Sequence, residues 1–138
     1  GAGIARRLAS EATSGAGPTV VYVDDATELG TEVDAELALL AAVSRRHDLR
    51  LVVAAEAALA RSSYGGILAA LRRERRALLL QPDVELDGDL AGVRLRRRPW
   101  VAVPPGRGEL VLRGQVELVQ VALTSLTDDL DPDRREVM

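Results

Sequence analysis

The chain has 138 residues, 47% of them hydrophobic, which suffices for one modest core in a single domain. With no cysteine and a single histidine, His47, it can build neither a disulfide nor a thiolate or histidine-cluster metal site. The net charge of −3 gives no global attraction to nucleic acid or anionic lipid, and no apolar run approaches the roughly 20 residues that span a bilayer.

The apolar residues are almost all Ala, Val and Leu, with no Phe, so any core is aliphatic and thin. All 18 basic residues are arginine, the pattern of GC-rich coding rather than a functional signal. Residues 1–17 read as a weak helix over 4–13 followed by a linker that breaks at Ser14-Gly15-Ala16-Gly17-Pro18. Thr19-Val20-Val21-Tyr22-Val23 is a short continuous apolar run, expected to form a parallel strand buried on both faces. Residues 32–46 place Val33, Leu37, Leu40, Ala41 and Val43 near a 3.6-residue period, acids first and Arg45-Arg46 last, as a helix dipole prefers. Leu51-Val52-Val53-Ala54-Ala55 repeats the buried-strand pattern, and strand, helix, strand in that order predicts a parallel βαβ unit and an α/β fold.

A second helix is expected over about 63–75, leading into a third strand of the same parallel set at Ala77-Leu78-Leu79-Leu80. After a short acidic helical turn at 87–90 comes Pro104-Pro105-Gly106-Arg107-Gly108. Two alternating runs, 109–112 and 115–122, are joined by Arg113-Gly114 and predict a β-hairpin at a sheet edge. Residues 18–123 thus form the domain, and 124–138, with Asp128, Asp129, Asp131 and Asp133, an acidic tail expected to be disordered.

The feature closest to chemistry is the apolar run that ends in Asp24-Asp25, because nucleoside triphosphatases place a metal-organising acid at the C-terminal end of such a strand. From Pro18 to Ala122 the chain resembles the last ATPase module of FtsK/SpoIIIE proteins, most closely the EccC branch of type VII secretion. The resemblance rests on Val20-Val21-Tyr22-Val23-Asp24-Asp25, Leu51-Val52-Val53-Ala54, Gly88-Asp89-Leu90-Ala91-Gly92, Pro104-Pro105-Gly106-Arg107-Gly108 and Val119-Gln120-Val121-Ala122 in that order and spacing. It implies a partial RecA-like P-loop NTPase fold, a mostly parallel sheet flanked by helices and closed by a C-terminal hairpin. It implies ATP and magnesium as the family's cofactors, Asp24 holding magnesium through water and Asp25 acting as the second Walker B acid. The usual Glu is one methylene longer than Asp25, and a misplacement of about 1 Å costs on the order of 100-fold.

The chain departs from the family's pattern in two places. Where active members carry a Thr-Gln-Arg-Pro sensor it has Ala55-Glu56-Ala57-Ala58, which offers no hydroxyl to a γ-phosphate and adds a repelling carboxylate. No Gly-x-x-x-x-Gly-Lys-Ser/Thr occurs, so the phosphate cradle is missing. The expectation is a nucleotide-poor module that does not hydrolyse ATP alone, its P-loop half lying upstream in a longer protein held at the cytoplasmic face of a bacterial membrane. Its partners would be sibling ATPase domains or the signal peptides of secreted substrates, with homodimerisation through an unpaired sheet edge.

Arg107 is weighed as a trans-acting finger against a rigid Pro-Pro-Gly turn, and Arg61 as a weaker finger. The runs Arg72, Arg73, Arg75, Arg76 and Arg94, Arg96, Arg97, Arg98 read as solvated faces, His47 as a helix-end residue beside Asp48, and Trp100 as a cover for the core edge. Two other functional readings stand beside the leading one: a DNA-translocating motor module of the same family, and a ligand-free structural interaction domain in which Asp24 and Asp25 are ordinary strand-end acids.

Overall fold

The computed structural model describes residues 17–44, 49–97 and 103–122, with Gly3, Arg7 and Ser10 near the N-terminus. Apart from Arg7 and Ser10, which are helical, the expected helix over 4–13 lies outside the described residues, as do the helix end at Arg45-Arg46, His47, Trp100 and the acidic tail.

Two sheets form, each with its own small core. In the first, β1 (Thr19–Val23) pairs in parallel with β2 (Leu49–Val53), and α1 (Thr31–Ser44) makes the connection between them. This is the βαβ unit expected from the two apolar runs and the helical period between them. Register places Val21 beside Leu51 and Val23 beside Val53 on one face, where Ala26, Leu37, Leu40, Leu49 and Ile67 complete the core. Leu37 and Leu40 of α1 are buried as the period requires, but Val33 is 39% exposed and stands outside the core.

The strands are not buried on both faces, contrary to the reading of their continuous apolar runs. Burial alternates along β1, and Val20, Tyr22 and Val52 stay exposed, Tyr22 at 76%. Among the described residues the helices that pack on this sheet lie on the Val21/Leu51 side, so alternation comes from one-sided cover rather than from an alternating sequence.

Of the helix expected over about 63–75 the structure forms the shorter α3 (Gly66–Arg72), and a separate short helix that was not expected, α2 (Ala57–Ser62), precedes it across Ser63–Gly65. Gly66 opens α3 with φ of +65°, which a side chain resists. Asp34, in the first turn of α1, accepts a 2.8 Å hydrogen bond from Ile67 N through its Oδ1. That bond satisfies one of the amides left free at the start of α3 and lowers fully buried Ile67 into the core.

The third strand, β3 (Arg76–Leu80), does not join the parallel sheet. It runs antiparallel to β4 (Arg107–Leu112), which pairs with β5 (Gln115–Gln120) in the expected hairpin. A helix does precede β3 and packs on the parallel core through Ile67, yet β3 takes β4 rather than β2 as its neighbour. The sheets are therefore one parallel pair and one antiparallel trio, β3-β4-β5, and not a mostly parallel one. The mixed α/β class stands. Arg113 and Gly114 both have positive φ, the type I′ geometry that suits the twist of a two-residue hairpin. Leu79 and Val111 face Ala91 and Leu95, supplied by the segment that includes η2 (Asp87–Leu90), and make the second core.

A Cβ at Gly66 would lie 1.7 Å from Asp34 Oδ2, and an alanine there would also carry the left-handed φ. Gly66→Ala should destabilise the fold by at least about 2 kcal/mol. Asp34→Ala removes only a helix cap, worth about 1 kcal/mol. In the double variant the collision is gone, so urea unfolding should show the two losses summing to less than their separate values.

Candidate functional site

The carboxyl end of the parallel sheet is where β1, β2 and their following turns meet. The pairing of β1 and β2 continues one step past the strands: Ala54 N donates to Val23 O at 2.8 Å and Ala26 N to Ala54 O at 3.0 Å. To bring Ala26 N back to that carbonyl the chain turns sharply at Asp25, whose φ of 47° and ψ of 48° are left-handed. Asp is among the few residues that tolerate this conformation. Glu28 N then donates to Asp25 O and closes η1 (Ala26–Glu28).

Asp24 and Asp25 are both exposed at this corner. Asp24 Oδ1 accepts from Asp25 N at 3.0 Å, so one carboxylate oxygen already serves the turn. Magnesium keeps most of its waters and takes one or two carboxylates with substrate phosphates, which a lone strand-end acid can supply only in part. Among the described residues no three His, Cys, Asp or Glu side chains come together as a ligand set. The chain also contains no lysine, and Glu56 at the start of α2 adds a further exposed carboxylate beyond β2. A carboxyl end bearing Asp24, Asp25, Glu28 and Glu56 repels a triphosphate.

An open groove of about 360 Å³ lies beside this corner, between η1, α1 and the two short helices. Thr27, Glu28, Asp34, Ser62 and Ser63 line it over Leu29, Leu59 and Leu68, whereas Asp24 and Asp25 do not. The reading of the residues alone did not single out Asp34, Ser62 or Ser63. Asp34 lies 33 residues from the amide it caps, and no local pattern marks such a pairing.

The two finger candidates have intramolecular partners. Arg61, in the last turn of α2, forms an ion pair with Asp87, which is 5% exposed and also accepts from Asp83 N at 2.8 Å. Arg107 Nε donates to Gln120 Oε1 across the hairpin at 3.0 Å, and Gln120 Nε2 donates to Pro105 O at 2.8 Å, which holds the Pro-Pro-Gly turn onto β5. In the arginine runs, Arg75 Nη2 donates to Gly92 O at 2.6 Å and Arg97 pairs with Glu85. These contacts give the side chains structural work within the fold.

No family model, curated protein or solved structure matches the chain. Among the described residues no helix is long and apolar enough to cross a membrane.

Asp25→Gly should raise stability by about 0.5–1 kcal/mol, because glycine enters the left-handed region without penalty and Asp25 makes no side-chain cap. Thermal and urea unfolding measure it; a loss instead would show that the Asp25 carboxylate does structural work. Arg61→Ala leaves Asp87 buried with only the Asp83 amide. Allowing for the 29% exposure of the Arg61 side chain, it should cost about 1–3 kcal/mol, read from the shift in urea midpoint.

Proposed function

We propose that the chain is the C-terminal, degenerate part of a RecA-like ATPase module of an FtsK/SpoIIIE-type translocase, similar to those of type VII secretion. Its role is docking and coupling, and a sibling domain performs hydrolysis. One observation carries the proposal: a parallel β1-α1-β2 unit ends its first strand in Asp24-Asp25 and leaves its second face, Val20, Tyr22 and Val52, apolar and exposed. Such a face is a layer awaiting cover, and the strand-end acids stand where the resembled family keeps its Walker B pair. The acidic carboxyl end and the absent lysine favour docking over catalysis. In this reading the full-length protein sits at the cytoplasmic face of a bacterial membrane, and the covering partner is a sibling ATPase domain or a secreted substrate's signal peptide.

A second reading has its own support. Because Asp24 Oδ1 caps Asp25 N, the two acids have a structural role that needs no ligand, as in a purely structural interaction domain. Titration with a fluorescent ATP analogue and magnesium, followed by binding of a P-loop-bearing ATPase domain of the same translocase, separates the possibilities. The docking reading expects no saturable nucleotide binding up to on the order of 100 µM. It also expects binding of the ATPase domain that Tyr22→Glu abolishes. Saturable nucleotide binding lost in Asp24→Ala would show a working nucleotide site and overturn it. Binding of neither leaves the structural domain.

A further inference from the structure

Register sorts the side chains of the antiparallel sheet between two faces, one of which is covered along β3 and β4 but not along β5, where Val116 and Leu118 stay exposed. Ala77, Leu79, Glu109 and Val111 lie on the covered side. The other side is a grid of three rows: Arg76, Leu112, Gln115; then Leu78, Leu110, Glu117; then Leu80, Gly108, Val119. Leu78, Leu80 and Leu112 are 46%, 54% and 45% exposed. At Gly108, which has no side chain, Leu80 fills the space, its Cδ2 within 3.0 Å of where a Cβ would stand. The face is a continuous aliphatic patch with polar side chains confined to the two outer strands. It is separate from the β1–β2 face and independent of any reading of Asp24 and Asp25.

Its charges identify what covers it. The side chains of Arg76 on β3 and Glu117 on β5 are both exposed and make no hydrogen bond or ion pair among the described residues. They occupy opposite outer strands, one row apart, a step of about 7 Å along a strand. A two-fold axis running along the central strand exchanges the outer strands. It sets each Arg76 over the other copy's Gln115, one row from its Glu117. Across the roughly 10 Å between packed sheets an arginine reaches that far. The same operation lays Leu110 and Leu112 on themselves, Leu80 against Val119, and Leu78 against the methylene stem of the other copy's Glu117.

We propose that this face pairs with itself in a second copy of the chain, as an isologous face-to-face sheet dimer with a leucine centre and two Arg76–Glu117 pairs at its rim. The patch is small beside the roughly 1,600 Å² of a standard interface, so the dimer is a weak one, with Kd on the order of tens of micromolar.

Sedimentation velocity of the whole chain from low to high micromolar concentration, with circular dichroism to confirm folding of each variant, tests it. Leu78→Glu should remove the dimer, whereas Leu118→Glu, an exposed leucine on the opposite side of the sheet, should leave it. Arg76→Glu and Glu117→Arg should each weaken association by about fivefold or more, and combining them should restore it to within about twofold, as expected of paired charges. A chain monomeric at every concentration overturns the proposal. So does a dimer that ignores Leu78→Glu, which would point to edge pairing of strands, or charge reversals whose combination fails to rescue.

Discussion

The hydrogen bond from Ile67 N to Asp34 ties α3 to the parallel β1-α1-β2 unit and sets where Ile67 enters the first core. Without a capping acid at the start of α1, the amides at the start of α3 would lack this partner, and α3 has only seven residues to hold its own shape. A helix that short is not stable by propensity. It persists because Asp34 fixes its beginning and Ile67 is buried under Leu37 and Leu40. The left-handed Gly66 follows from the same contact, since the chain must approach the carboxylate more closely than any Cβ permits.

A second polar link plays the corresponding part between the two sheets. Asp87 takes the Arg61 guanidinium and the Asp83 amide at once, so the end of α2 is tied to η2, and η2 belongs to the segment that covers the antiparallel sheet. A buried carboxylate is tolerable only when its lone pairs are met, and here both oxygens are. The two cores are small and share no buried residue, which leaves polar links of this kind to set how one sheet sits against the other.

What could be read from the residues beforehand divides along the distance over which each feature is specified. The strand Thr19–Val23, the 14-residue helix after it, the turn at Asp87–Leu90 and the Arg113-Gly114 hairpin are each written in a few neighbouring residues, and each forms where expected. The partner of β3 is not local: Leu78-Leu79-Leu80 suits a parallel or an antiparallel neighbour equally, and the strand it takes, Arg107–Leu112, lies far along the chain. Burial on both faces was misjudged because a run of valines and leucines reads the same whether one layer covers it or two. Of the candidate site, the acidic strand end was legible, whereas the left-handed Asp25, the inward commitments of Arg61 and Arg107, and the groove beside Asp34 depend on contacts between distant residues.

The exposed apolar faces follow from one cause. Among the described residues the helices and turns cover each sheet on one side, over small aliphatic cores that contain no phenylalanine. The faces left over differ in chemistry. On β1–β2, Val20, Tyr22 and Val52 surround a single charged residue, Arg50, so that face has no charge complement of its own and suits a different partner. On β3–β5, opposite charges stand on opposite outer strands, the arrangement that a two-fold axis can satisfy. If the docking and dimer proposals both hold, the two faces are separate enough in the chain's two sheets for each to take its own occupant, because no strand is shared between them.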